Sequence, residues 1–143
     1  MQPKLIIHGG FFSESSTDQA TKQAKQAALA DIARRAHAYL LTHTALETVA
    51  FANELLENDA LFNAGVGSQI QSDGQVRMSA SIMDAVSLRF GGVINIQNVK
   101  NPIRIAEQLL PYDDRVLGGE GANAFAQKMQ APLFDPRTPQ RIA

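Results

Sequence analysis

The chain has 143 residues, 13 basic against 14 acidic side chains for a net charge of −1, and no cysteine. Disulfides, thiolate metal sites and a cysteine nucleophile are thereby excluded, and the charge balance, with no dense cluster of Lys and Arg, argues against the basic face that nucleic acid requires. Hydrophobic residues make up 45 % of the chain, an ordinary share for one globular domain, and a compact chain of this size buries about 68–70 % of its unfolded surface.

In chain order, Leu5 to Ile7 predicts a short buried strand ended by Gly9-Gly10. The opening apolar run is too short for a signal peptide. No stretch approaches the roughly 18 apolar residues of a membrane span, so no membrane contact is expected and the expected address is the cytoplasm. The polar stretch from Ser13 to Asp18 offers side chains that can cap a helix. From about Asp18 to Leu41 there is neither Gly nor Pro, and Ala28, Ile32, Ala36 and Tyr39-Leu40 recur at helical spacing. Thr44 and Glu47 have the spacing of a capping box, opening a second helix through Leu46, Val49, Ala50, Asn53 and Leu56. Two helices joined so closely suggest an antiparallel layer.

Leu61 to Gly67 has small residues suited to a tight loop. Ser72-Asp73-Gly74 predicts a hairpin turn, followed by alternation of Gln75, Arg77 and Ser79 with Val76, Met78 and Ala80. Gly91 to Gln97 predicts a strand rich in β-branched residues. Asn101 reads as an N-cap with Pro102 at the first helical position, and the helix runs to about Leu110. Arg115 to Leu117 predicts a short strand and Glu120 to Met129 a helix. Residues 131–143 carry three prolines and predict an extended, weakly ordered linker tail after a single unit at 1–130. The order is strand, two helices, three strands, helix, short strand, helix. With helices segregated from a sheet built largely of hairpins, the expected class is α+β.

Chemistry-bearing residues are few. His37 and His43 sit in and after the long helix, where solvated side chains are the ordinary reading. His8 lies at a strand end, a place that commonly carries site residues but also packed ones. Gly119 to Ala124 matches the dinucleotide pattern formally, but the preceding strand is short and a glycine-assisted helix start explains it. Glu57, Asp59, Asp73 and Asp84 lack the alternating ligands of a calcium loop. The irregular stretch from Leu56 to Gly67 nevertheless offers many free carbonyls, good ligands for hard cations.

At these same residues the sequence resembles a known family. Leu56 to Ser68, LENDALFNAGVGS, is similar to the LE…LFNAGxGS signature of the plant-type L-asparaginases, also called isoaspartyl peptidases. Leu5 to Gly10 resembles the family's opening IIHGG, Ser79 to Asp84 its DASIMDG, Val93 to Ile103 its AGVxxIKNPI, and Val116 to Ala126 its VLLxGEGAxxFA. The five agree in order and spacing and cover nearly the whole chain. The sequence departs at Phe11 and Phe12, where the family has small residues, and at Ala60, Ser79 and Ala85, where it has Pro, Asp and Gly.

The resemblance implies part of an αββα N-terminal nucleophile hydrolase, cut from a precursor into α and β chains. The β chain would begin with a catalytic Thr whose own amine is the base. It implies hydrolysis of isoaspartyl dipeptides and L-asparagine, and a pair of αβ units. This sequence matches the α part, and none of its six threonines, Thr138 included, stands in the family's nucleophile motif. The resemblance further implies no organic cofactor but a structural sodium ion, held by the main-chain carbonyls of Leu56, Glu57, Asp59, Phe62, Ala64 and Val66. Asn63 would orient the nucleophile, and His8, Gly9 and Gly10 would bring backbone near it. With helices to cover only one sheet face, the isolated chain is expected not to fold stably. Competing readings are an inactive fragment or binding module of the same fold, and a glycosylasparaginase-like hydrolase.

Overall fold

A computed structural model describes residues 2–10 and 18–142. The expectations for Phe11, Phe12 and most of the polar stretch before Asp18 lie outside the described residues.

Side chains fix the starts of the first two helices. α1 spans Gln19–Leu40, and the Asp18 carboxylate accepts from the amides of Ala20 and Thr21 at 3.0 and 3.3 Å. The Thr21 hydroxyl, then these amides, hold that carboxyl below its usual range. α2 spans Ala45–Glu57 behind a complete capping box. Thr44 Oγ1 accepts from the Glu47 amide at 3.2 Å, and Glu47 Oε2 accepts from the Thr44 amide at 2.8 Å. The two helices pack together with Ile32, Ala36, Ala50 and Ala52 buried. Tyr39 stacks on His43 at 3.5 Å and on Phe51 at 4.5 Å across the turn. His37 and His43 are both exposed, in keeping with the ordinary reading.

Among the described residues the sheet has three strands. β1 (Met78–Asp84) and β2 (Arg89–Ile96) form an antiparallel hairpin, with Ile82 opposite Gly91 and Met83 opposite Phe90. α3 (Pro102–Leu109) then crosses over to β3 (Val116–Gly118), which pairs parallel with β2 and places Leu117 beside Val93. α4 (Gly119–Lys128) follows, and a single turn, α5 (Pro139–Ile142), ends the described chain. Met78, Ile82, Val93 and Ile96 on one sheet face pack against Ile103, Ala106 and Leu109 of α3 and Ala122, Phe125 and Ala126 of α4. On the other face Met83, Phe90, Ile94 and Val116 are 60, 45, 51 and 50 % exposed. The result is a mixed α+β arrangement with a small sheet, covered on one side.

Four expectations are corrected. Leu5 to Ile7 pairs with no strand among the described residues. Leu5 and Ile7 are half-buried and Ile6 is 95 % exposed, and without a partner to complete its ladder the segment is no strand. The turn at Ser72-Asp73-Gly74 does form, with the Gln71 amide donating to the Gln75 carbonyl at 2.8 Å, but its arms do not continue as a ladder. The sheet's hairpin turns instead at residues 85–88, and β3 joins through a helical crossover, so the sheet is not built largely of hairpins. Finally, Asn101 occupies the N-cap of α3 without capping it, because its carboxamide is directed to Glu57 and Asn58.

The segment after α4 follows the body of the protein. The Phe134 amide donates to the Asn98 carbonyl at 3.0 Å, Pro136 and Thr138 are buried, and Arg137 pairs with Asp135 at the surface.

Candidate active site

The end of α2 delivers Leu56 and Glu57, and the chain then turns back on itself. The Asn58 and Asp59 amides donate to the Glu54 and Leu56 carbonyls, and the Phe62 amide to the Asp59 carbonyl. The Asp59 carboxylate is occupied by the Leu61 amide at 2.9 Å, and Phe62 is buried. A tight 3-10 turn at Gly65–Gly67 follows, with the Gly67 amide donating to the Ala64 carbonyl. The Asn63 carboxamide closes the loop: its Oδ1 accepts from the Gln69 amide at 2.8 Å.

Glycine is required at two points of this loop. A Cβ on Gly65 would lie 2.2 Å from the Glu57 carbonyl oxygen, and Gly65 has a φ of +50°. A Cβ on Gly67 would lie 2.1 Å from the Phe62 oxygen and 2.7 Å from the Ala60 oxygen. Main-chain oxygens therefore face the loop's own interior, where only glycine backbone leaves them room. The Leu56, Asp59 and Ala64 oxygens each accept an amide, and a carbonyl has a second lone pair to offer. Neutral carbonyl oxygens are the ligand type that suits a hard cation of low charge. Among the described residues no group of three His, Asp or Glu side chains is arranged to hold a metal.

The Glu57 side chain serves elsewhere. It is buried, with Oε1 accepting from the Ile103 amide at 3.0 Å and Oε2 from Asn101 Nδ2 at 3.2 Å. Burial raises its pKa from 4.5 to about 7, against the opposing pull of those two donors. Beside it Arg104 bridges Glu54 of α2 and Glu107 of α3, tying the two helices together.

These elements wall a cleft of about 670 Å³. His8, Gly9 and Gly10 line it together with Leu56, Glu57, Phe62, Asn63 and Ala64 and with Gln69, Ser79 to Ser81 and Arg141. Gly9 lies close on the loop, since a Cβ there would stand 3.0 Å from Phe62 Cε1. His8 is exposed, and its Nδ1 accepts from the Gly10 amide at 3.3 Å. Asp59 and Val66 lie in the loop but do not line the cleft. Lys25, Asn53, Gln69 and Arg141 do line it and were not singled out from sequence. Arg141 lies 74 residues beyond Gly67, a proximity that no local spacing could signal.

Known proteins resemble the chain along nearly its whole length. The family model described as "Asparaginase" matches residues 1–143. The chain is 46 % identical over 143 residues to an isoaspartyl peptidase/L-asparaginase of a Synechocystis species, covering 99 % of this chain and 43 % of that protein. It is 38 % identical to a plant-type L-asparaginase of Pyrococcus abyssi, over 96 % of this chain and 45 % of that one. With the isoaspartyl peptidase/L-asparaginase of Rattus norvegicus it shares 33 % identity, over 90 % of this chain and 38 % of the relative. The chain is thus a mixed α+β body matched along its whole length by that family model. The chain belongs to the asparaginase family, and it spans less than half the length of these relatives.

Proposed function

We propose that this chain is the α subunit of an autoprocessed amidohydrolase acting on isoaspartyl dipeptides and L-asparagine. A separate β chain from the same precursor completes an αββα sandwich over the open sheet face and supplies an N-terminal Thr. Two such αβ units pair, and the assembly is cytoplasmic. The observation that carries the reading is the convergence of His8–Gly10, Asn63 and the carbonyl loop on one cleft. The relatives' names and the four exposed apolar side chains of the sheet support it.

In this reading the Thr hydroxyl attacks the side-chain carbonyl of the substrate, the Thr amine takes the proton and passes it to the leaving amine, and water then releases aspartate. This chain's part is positioning. Asn63 Oδ1 is held by the Gln69 amide, which leaves the Nδ2 protons to orient the nucleophile. Gly9 and Gly10 let backbone approach the reacting centre. A sodium ion on the carbonyls of Leu56, Glu57, Asp59, Phe62, Ala64 and Val66 would hold the loop against its conformational entropy.

Denaturing intact-mass analysis of the purified native protein, with N-terminal sequencing of each species, tests the assignment. A companion chain beginning with Thr, and free aspartate released from an isoaspartyl dipeptide, are expected. A single species of 15.5 kDa releasing no aspartate would overturn it.

A further inference from the structure

We propose that Arg141 is a positioning residue for this cleft, acting through Gln69 on the Asn63 carboxamide; the inference rests on the amidohydrolase reading above. Arg141 Nε donates to the Gly67 carbonyl and its Nη1 to Gln69 Oε1, both at 3.1 Å. The Gln69 amide in turn donates to Asn63 Oδ1 at 2.8 Å. One planar guanidinium therefore grips the end of the glycine turn and the residue that holds Asn63. A two-point fork of this kind fixes its acceptors relative to each other.

The grip is delivered from an anchored base. Thr138 is buried, and its carbonyl accepts from the amides of Arg141 and Ile142 at 2.9 and 3.1 Å. Upstream, Pro136 is buried and the Phe134 amide is held by Asn98. Arg137, in the same segment, behaves differently: it chelates the Asp135 carboxylate at the surface, away from the cleft. Among the described residues the acceptors of Arg141 are a carbonyl and a carboxamide, with no carboxylate in ion-pair range. Its role is thus geometric: it sets the spacing of the loop end and Gln69, and through Gln69 the direction of the Asn63 amide group.

The test uses the complete αβ protein and isoaspartyl dipeptide hydrolysis, with wild type assayed first. Arg141→Met is expected to lower kcat roughly ten-fold and change KM less than about two-fold, the pattern of a misplaced group that acts in the transition state. Gln69→Met, which keeps the amide to Asn63 but removes the side-chain acceptor, is expected to do the same. Both losses should vanish in an Asn63→Ala background, whereas a merely structural contact would give additive losses. Arg137→Met should leave kcat unchanged. Additive losses, or an effect on KM alone, would overturn the proposal. If Arg141→Met does not accumulate as folded protein, the cycle between Gln69→Met and Asn63→Ala decides by the same criterion. An inactive wild type overturns the amidohydrolase reading and the positioning role together, while an active wild type with additive losses overturns the second alone.

Discussion

Glu57 ends α2 and caps α3: its Oε1 accepts the Ile103 amide at 3.0 Å across 46 residues of sequence. The helix start that lacks a side-chain cap of its own is therefore satisfied from a neighbouring helix. The same residue contributes a main-chain oxygen to the loop interior, so the loop, α2 and α3 meet at one buried carboxyl.

That carboxyl makes stability depend on pH. Burial lifts its pKa from 4.5 to about 7, so across that window the folded protein holds more proton at Glu57 than the unfolded chain does. Its contribution to stability is greatest below pH 4.5 and declines as pH rises through 7, by on the order of 3 kcal/mol. Glu57→Gln keeps an acceptor for the Ile103 amide and cannot ionise. Urea unfolding of the complete protein at pH 5 and pH 8 should show the variant gaining on wild type at the higher pH. Parallel pH profiles would contradict this account.

Gly65→Ala and Gly67→Ala should each cost about 2 kcal/mol or more, because the new methyl meets main-chain oxygen and not a side chain that can yield. They should also abolish stabilisation by sodium. The check is the melting temperature of wild type and variants in sodium chloride and in choline chloride. A wild type that melts identically in both salts would sink the cation reading.

Asn63 is exposed, and among the described residues its side chain bonds to the Gln69 amide alone. Asn63→Ala should therefore shift stability by no more than about 1 kcal/mol while lowering kcat at least about ten-fold. Turnover equal to wild type would refute its role.

The isolated chain of residues 1–143 should show no cooperative thermal transition and should bind a hydrophobic dye. Met83, Phe90, Ile94 and Val116 leave one sheet face open, and Leu5 to Ile7 has no strand beside it among the described residues. Differential scanning calorimetry of the purified chain decides this, and a sharp transition in the absence of any other chain would prove the expectation wrong.

Much of the fold was legible where local chemistry governs. The capping box at Thr44 and Glu47 and the period of Ile32 and Ala36 are short-range signals, and both helices follow them. Asn63 and its neighbours, which line part of the cleft, stood out for a different reason: the residues from Leu56 to Gly67 carry a specific motif. What spacing could not reveal was long-range. Leu5 to Ile7 has the composition of a strand, but pairing is decided by a partner and not by β-branched content. The cap of α3 comes from Glu57, far upstream, and Asn101 holds that carboxylate instead of the helix end. Arg141 reaches the loop across 74 residues of sequence. The turn at Gly74 formed as its residues dictate, yet the strands that pair lie on either side of residues 85–88.

The open sheet face also bears on how such a protein comes together in time. A covering layer carried on the same polypeptide meets Phe90 and Ile94 at an effective concentration on the order of millimolar, set only by the length and stiffness of the tether. A layer made as a separate molecule has to arrive by diffusion while the face remains open to every other apolar surface nearby. Joining the two layers first and severing the tether afterwards yields the same contacts without that competition.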